Sequence, residues 1–182
     1  DHPKVGLAYN SLGTCFFVQN KYDDALTCHL KSLAIRKNVY GQNSREVALN
    51  YHNIGTTLSK KKRYDEALLC LHTALNTLNT INNRGEKERE LLCNLYDAIF
   101  STYSEKADYE KKLISKQALD YCQKALDLRL QMYGENNLNT AVSYHNLGAY
   151  YIGRLSYFVN KSDTVMNIDI SDGEKGLSFL LK

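Results

Sequence analysis

The side chains that most often carry catalysis or bind metal form no recognisable set in this sequence. The histidines His29, His52, His72 and His145 have no accompanying cysteine or carboxylate pattern that repeats as a triad or a ligand set. The five cysteines lie far apart without a CxxC pair, which indicates reduced thiols rather than a disulfide framework or a zinc site. The sequence also lacks a glycine-rich phosphate loop and an HExxH pair. We therefore expect no enzyme, no cofactor and no metal ion.

Composition narrows the class of protein. Of the 182 residues, 43% are hydrophobic and the formal net charge is +3, which excludes global disorder and provides no argument for nucleic acid. No stretch approaches the roughly 18 apolar residues of a membrane helix, and no signal peptide opens the chain. We expect a cytoplasmic protein that binds neither membrane nor nucleic acid. Residues 1–63 hold ten Lys and Arg against four Asp and Glu, so positive charge is concentrated there.

An internal repeat is the main signal in the sequence. The segment AYNSLGT (8–14) recurs as NYHNIGT (50–56) and SYHNLGA (143–149), and KYDDAL (21–26) recurs as RYDEAL (63–68). Equivalent landmarks of the first two copies lie 42 residues apart: Tyr9 and Tyr51, Gly13 and Gly55, Ala25 and Ala67. Such a period indicates one supersecondary unit repeated along the chain.

Each unit has the pattern of two amphipathic helices. Apolar residues fall at spacings of three and four in both halves of the unit, which places them on one helical face. Gly13 and Ala25 are small enough to let two helix backbones approach closely. Asn20 and Lys21 break the pattern between the helices, and Gly41 ends the second helix. One such hairpin cannot bury its apolar face, so neighbouring units must stack.

These motifs resemble the tetratricopeptide repeat (TPR), whose signatures here are Tyr-x-x-Leu-Gly and Tyr-Asp-Glu-Ala-Leu. The 42-residue period, with Ile35-Arg36-Lys37 before the closing Tyr-Gly, is similar to the kinesin light chain type. The resemblance implies an all-α fold, a right-handed superhelical solenoid of antiparallel helix pairs with about four repeats. It covers the chain to about Tyr151 and then weakens.

We assign the repeats to residues 1–41, 42–83, 84–134 and 135–182 of a single solenoid domain. The third is diverged, with Tyr96 in the Tyr51 position and extra residues before its first helix and between its helices, around 104–113. The fourth carries an inserted loop at about 154–172 and a truncated second helix. Within that insert, residues 165–170 alternate as in a short extended segment. The insert is either a surface loop between helices or a loop that reaches a partner or folds back on the groove.

The chain lacks an initiator methionine and stops inside a helical pattern, which predicts a piece of a larger repeat protein. Neither end shows a polar capping helix. End-to-end self-association is therefore an expected property of this piece.

The resemblance also implies that the first helices line a concave groove that binds extended peptides. The groove positions carry small or amide-bearing residues. The predicted site is Asn10, Ser11, Thr14, His52, Asn53, Thr56, Lys60, His145 and Asn146, with Ser59, Asp97, Ser101, Ser104 and Ala149 as further groove positions. Asn53 and Asn146 have both a donor and an acceptor with which to hold a peptide backbone amide. The alternative is a helix face that is polar only because it is exposed.

A carboxylate clamp of the Hsp90/Hsp70 type is not expected, because Asn10, Thr14, Asp97 and Ala98 stand where that clamp needs cations and an asparagine. The run Lys60–Arg63 has two interpretations. It either neutralises a helix C-terminus or forms a receptor for acidic peptides, since the kinesin light chain resemblance implies a preference for acidic linear motifs.

The leading hypothesis is a non-catalytic peptide- or protein-binding TPR module of a larger scaffold, adaptor or cargo receptor. Two alternatives remain open at this point. One is an architectural or self-associating solenoid, and the other is a ligand-sensing array that regulates an effector domain elsewhere in the parent protein.

Overall fold

The computed structural model describes residues 2–81, 85–161 and 170–181, with the side chains of 160, 161 and 170–173 left out. Over these residues all regular structure is helical. The helices are α1 (Pro3–Val18), α2 (Tyr22–Tyr40), α3 (Arg45–Lys60), α4 (Tyr64–Asn79), α5 (Glu86–Glu110), α6 (Lys116–Tyr133), α7 (Leu138–Lys161) and α8 (Ile170–Leu180). The predicted all-α class is confirmed.

The chain divides into two compact units, Asp1–Ala98 and Ile99–Lys182. In the N-terminal unit α1 packs on α2, α2 on α3 and α3 on α4. In the C-terminal unit α6 packs on α7 and α7 on α8. Each unit has a core of alternating large and small apolar side chains. The cores include Leu33, Val47, Ile54, Leu58 and Ala67 in the first unit and Phe100, Ala118, Cys122, Leu126, Tyr144, Leu147 and Tyr150 in the second.

The helices of a pair run antiparallel and cross where a glycine faces a small residue. A Cβ on Gly55 would lie 2.7 Å from the Leu71 Cγ and 3.1 Å from the Ala67 carbonyl oxygen. The same contact recurs between α7 and α8, where a Cβ on Gly148 would lie 3.1 Å from the Gly176 carbonyl oxygen. Gly176 therefore takes the position that Ala67 has in the second pair. At these crossings a Cβ would have to displace the facing leucine side chain and press on the facing backbone, so the close approach favours glycine.

The turns between helices use the predicted stop residues. Helix α2 ends at Tyr40, and Gly41 follows with φ of +79°. Helix α6 ends in the same way at Tyr133, and Gly134 has φ of +76°. Both glycines have a backbone conformation that other residues rarely adopt.

The insertions of the third and fourth repeats lengthen helices, which corrects part of the prediction. Residues 104–110, expected between two helices, continue α5, which has 25 residues against 16 in α3. Lys106 and Glu110 form an ion pair one turn apart within this extension. The left-handed residue that turns the chain is Lys111, whereas Lys62 has that role after α3. The inserted residues contain neither glycine nor proline, so nothing in them ends the helix.

The predicted loop at 154–172 is wrong at its start and at its end. Residues 154–161 belong to α7, and 170–172 belong to α8. The Arg154 guanidinium lies 5.8 Å from the ring centres of both Tyr150 and Phe158, one turn before and after it. These cation–π contacts along one helix face favour continued helix. Residues 162–169, which include most of the predicted extended segment 165–170, lie outside the described residues.

Buried arginines fix the step from one helix pair to the next. Arg36, 4% exposed, donates from Nη1 to the carbonyl oxygen of Glu46 (3.1 Å). Arg129, 5% exposed, donates from Nη1 to the Ser143 Oγ (2.8 Å). Burial lowers the pKa of Arg36, and the nearby Glu46 opposes that shift. The equivalent position of the second pair is the fully buried Leu78.

Two replacements of Arg36 should distinguish how much its charged hydrogen bond and how much its packing contribute to the free energy of unfolding. Arg36→Ala should lower the free energy of unfolding by about 2 kcal/mol, because a charged hydrogen bond and buried contacts are lost. Arg36→Leu should lose less than half of that, since Leu78 fills the same position in the next pair. Urea unfolding followed by circular dichroism measures both values. Equal losses in the two variants would contradict this account.

Candidate functional site

The predicted groove residues of the N-terminal unit form a connected line across α1 and α3. The Nδ2 of Asn53 donates to the Oδ1 of Asn10 over 2.9 Å. The Nδ1 of His52 lies 3.2 Å from the Asn53 Oδ1, which can only accept a hydrogen bond. Asn10 is only 9% exposed, so the first helices of adjacent pairs meet through side-chain amides.

The backbone of Asn94 on α5 also lies near the His52 ring. Burial lowers the pKa of His52, and Asn53, the backbone of Asn94 and Asp97 oppose that shift. A histidine with a lowered pKa is neutral at pH 7. His52 therefore contributes a neutral, oriented imidazole to the groove, and the predicted groove residue Asp97 lies near it.

The threonines of the predicted site direct their hydroxyl protons into their own helices. Thr14 Oγ1 donates to the Asn10 carbonyl oxygen (3.1 Å), and Thr56 Oγ1 donates to that of Asn53 (3.0 Å). Their remaining hydrogen-bonding capacity is as acceptors. Ser11 on α1 and Lys60 at the end of α3 are exposed.

A cavity of about 260 Å³ lies among α1, α2 and α3. Four of the nine predicted site residues line it. Its lining is Thr14, Phe17, His29, His52, Asn53 and Thr56.

Sequence reasoning missed the contribution of Phe17 and His29 to this cavity. His29 lies on α2, four residues after Ala25, where the second and third pairs have Leu71 and Cys122. A polar residue in a position that is otherwise apolar was the available signal. The groove that the resemblance implies is lined by the first helix of each pair, whereas His29 lies on the second helix α2.

The predicted residues His145 and Asn146 lie on α7 in the C-terminal unit. His145 is exposed and Asn146 is half-buried. A second cavity, of about 700 Å³, lies in this unit between the end of α5 and α7. Its lining includes the predicted groove positions Ser104 and Ala149 together with residues of the two helix extensions.

The basic run after α3 is partly engaged within the chain. Lys61 forms an ion pair with Asp23. Arg63 donates from Nε to Glu66 (2.7 Å), which raises the pKa of Arg63 and lowers that of Glu66. At least two of the four cations therefore have carboxylate partners, on helices α2 and α4, which reduces the charge that the run presents to a ligand.

Antiparallel helix pairs with a small-residue crossing, in which the second helix of one pair packs on the first helix of the next, are the arrangement found in tetratricopeptide repeats. In agreement, residues 4–80 match the profile of the tetratricopeptide repeat family. The tetratricopeptide-repeat part of the predicted resemblance is confirmed. Repeats of this family generally mediate protein–protein interaction.

A solved structure extends the likeness to the rest of the chain. The crystal structure of BtubC (BKLC) from P. vanneervenii superposes with a TM-score of 0.68 and 17% sequence identity. The match covers 99% of this chain and 62% of that one, so this chain spans less than two thirds of the relative. A likeness at this identity concerns the fold alone. Comparison with proteins of curated function finds no match.

Two further observations concern membranes and metals. None of the helices in the described part of the chain has the length and apolar character required to cross a bilayer. Within residues 2–81, 85–161 and 170–181, no three His, Cys, Asp or Glu side chains come together as a ligand set.

Proposed function

We propose that this chain is a non-catalytic TPR module that binds a linear peptide of a partner protein along its first helices. The observation that supports it is the line of Asn10, Asn53 and His52 beside a cavity lined by Thr14 and Thr56. Polar side chains that hold one another in place lose little freedom when a ligand arrives. We further propose that it belongs to a larger scaffold, adaptor or cargo receptor.

Asn53 is the central residue of the proposed interaction. Its amide nitrogen gives one proton to Asn10, and its amide oxygen lies next to His52. One N–H and one lone pair remain, which is the pair of groups that a peptide bond requires. Asn146 occupies the equivalent position on α7, since it lies two residues before Gly148 as Asn53 does before Gly55.

The positive charge of the N-terminal residues determines a second expected property of the peptide, its acidic character. Residues 1–63 are strongly basic in sum, and Lys60 is exposed at the end of α3. An acidic peptide is therefore favoured, although the ion pairs of Lys61 and Arg63 limit the attraction. Because exposed charges are screened over about 8 Å at physiological ionic strength, affinity should fall as salt is added.

A peptide display selection tests the proposal. Wild type should enrich a motif, and Asn53→Ala, alone and combined with Asn146→Ala, should reduce affinity for it by about tenfold or more. Asn76→Ala is the matched control, since Asn76 is exposed on the second helix α4. Circular dichroism must show equal helicity for all variants.

The outcomes separate the proposed functions. Loss of the motif in the Asn53 variants and its retention in Asn76→Ala support a peptide receptor. No enrichment, together with a mass that grows with concentration, supports the architectural or self-associating alternative. The exposed Val5 and Leu12, which share one face of α1, favour that alternative over a ligand-sensing array.

We also propose a cytoplasmic location. All five cysteines are free thiols, and Cys28, Cys93 and Cys122 are buried. A reducing compartment keeps such thiols unpaired.

A further inference from the structure

Helix α1 exposes apolar side chains at positions that are buried on other first helices. Val5 is 44% exposed and Leu12 is 45% exposed, and both line a depression of about 330 Å³ on the surface of α1. The equivalent residues are Val47 and Ile54 on α3 and Thr140 and Leu147 on α7. These four side chains are at most 3% exposed. The surface around Val5 and Leu12, here called the α1 face, is therefore of a kind that is covered elsewhere in the same chain.

The element that covers the equivalent positions is the second helix of the preceding pair. Helix α2 packs on α3, and α6 packs on α7. Leu33 of α2 belongs to one buried cluster with Val47 and Ile54, and Leu26 packs against that cluster. A second helix with apolar residues seven positions apart is thus the kind of element that fits the α1 face.

The contact between α2 and α3 also defines a register. The Nδ2 of Asn50 donates to the main-chain carbonyl oxygen of His29 over 3.1 Å. Because consecutive helices run antiparallel, Leu26, one turn before His29, lies at the level of Ile54, one turn after Asn50.

Helix α8 exposes a matching second-helix surface. Gly176 takes the position that Ala25 has in the first pair. Leu177 is therefore equivalent to Leu26. Leu26 is half-buried against the cluster between α2 and α3, whereas Leu177 is 58% exposed. Helix α8 thus exposes the apolar side chain with which α2 covers α3.

An acidic residue accompanies this leucine in both helices. Asp23, three residues before Leu26, forms an ion pair with Lys61, which directly follows α3. Glu174 has the same spacing from Leu177 and is exposed. The surface formed by Glu174 and Leu177, here called the α8 face, therefore carries both groups by which α2 contacts α3.

The end of α1 supplies groups that complement Glu174. The residue equivalent to Lys61 is Gln19, which directly follows α1, and Lys21 is two residues further on. A side-chain amide can donate to a carboxylate, and a lysine can form an ion pair with it.

The two parts of the chain that carry these faces differ in the sign of their charge. Residues 1–63 hold ten Lys and Arg against four Asp and Glu, whereas residues 64–182 hold 13 against 16. This distribution favours contact of an α8 face with an α1 face over contact between two α1 faces, which would bring like charges together.

We propose that the α8 face of one copy of this chain binds the α1 face of a second copy, with Leu177 packed against Leu12. Glu174 then lies beside Gln19 and Lys21. The contact repeats between two copies the packing of α2 on α3 within one copy. It is heterologous, because two different surfaces meet, so a pair of copies keeps one α1 face and one α8 face to which further copies can bind. None of these residues belongs to the proposed peptide site, so the contact is independent of peptide binding.

Sedimentation velocity over a range of concentrations tests the contact. The mass of wild type should rise with concentration. Leu12→Glu and Leu177→Glu should each weaken association about tenfold or more, because each places a carboxylate in an apolar contact. Leu7→Glu is the matched control, since Leu7 is also an exposed leucine of α1 but lies outside the depression. It should associate as wild type does, and circular dichroism should show equal helicity for all four proteins.

A mixture of the two variants provides a more specific result. Leu12→Glu keeps its α8 face, and Leu177→Glu keeps its α1 face. Mixed in equal amounts, they should form a one-to-one heterodimer that does not grow further. A heterodimer also shows that both variants fold, since each must present one intact face.

Several results would overturn the contact. One is a wild type that stays monomeric at every concentration, and another is association of Leu12→Glu that equals that of wild type. Dimers of Leu177→Glu alone would show that the α8 face is not required and that two α1 faces meet instead. A mixture of the two variants that stays monomeric, although wild type associates, would also contradict the contact.

Discussion

Lowering the pH from 7 to 4 should cost wild type about 2–3 kcal/mol of unfolding free energy that the His29→Leu variant does not lose. The pKa of His29 is lowered to about 4 by burial and by the nearby Arg36 and His52, whereas an unfolded histidine titrates near pH 6.5. Between these two values the unfolded chain binds a proton that the folded chain does not bind. Stability therefore rises with pH across this window, and the contribution of His29 is fully present above pH 6.5.

Urea unfolding at a series of pH values from 4 to 8 measures this effect. His52 has a lowered pKa as well and contributes to the total, but it is present in both proteins. The difference between wild type and His29→Leu thus isolates His29. Parallel pH profiles for the two proteins would show that His29 is not held neutral in the folded state. The variant should also be more stable than wild type at low pH, because it buries no titratable group at this crossing.

The second large effect concerns the crossing of α3 and α4. Leu71 is fully buried, and a Cβ on Gly55 would lie 2.7 Å from its Cγ. Leu71→Ala should lower the free energy of unfolding by about 2–5 kcal/mol through lost burial and a cavity. Gly55→Ala should lower it by about 1–3 kcal/mol through overpacking.

The double variant provides the sharper result. Leu71→Ala creates room where the Gly55→Ala methyl group must fit, so the combined loss should fall short of the summed single losses by about 1 kcal/mol or more. Gly153→Ala is the control, since a Cβ there meets nothing within 4 Å. It should leave stability unchanged or raise it by up to about 1 kcal/mol, as expected for alanine over glycine within a helix. Additive losses would contradict the close crossing.

The proposed function depends on how the polar side chains of the first helices are arranged. Asn10, Asn53 and His52 are arranged by α1, α3 and the backbone of α5. Sequence reasoning selected them because their positions recur on the first helix of each pair. It did not anticipate that Asn10 and Asn53 bond to each other, because that contact joins residues 43 positions apart in two different repeats.

The insertions show where prediction from sequence fails. Their sizes follow from the repeat spacing, but the spacing does not distinguish a loop from extra helical turns. Residues 104–110 and 154–161 are helical, in line with contacts such as Lys106 with Glu110 and Arg154 with Phe158. These contacts lie within one helix, so the spacing of four residues between the paired side chains predicts the added helical turns.

The sequence by itself determined the all-α fold, the helix pairs and the small residues at their crossings. These features depend on local periodicity and on a repeat that returns the same residue types to the same positions. Only the tertiary structure decided which polar side chains meet and that His29 of α2 enters the wall of the cavity between α1 and α3. The physical reason is that burial, hydrogen-bond geometry and the pKa of His29 depend on atoms brought together by packing between helices, which no spacing along the chain records.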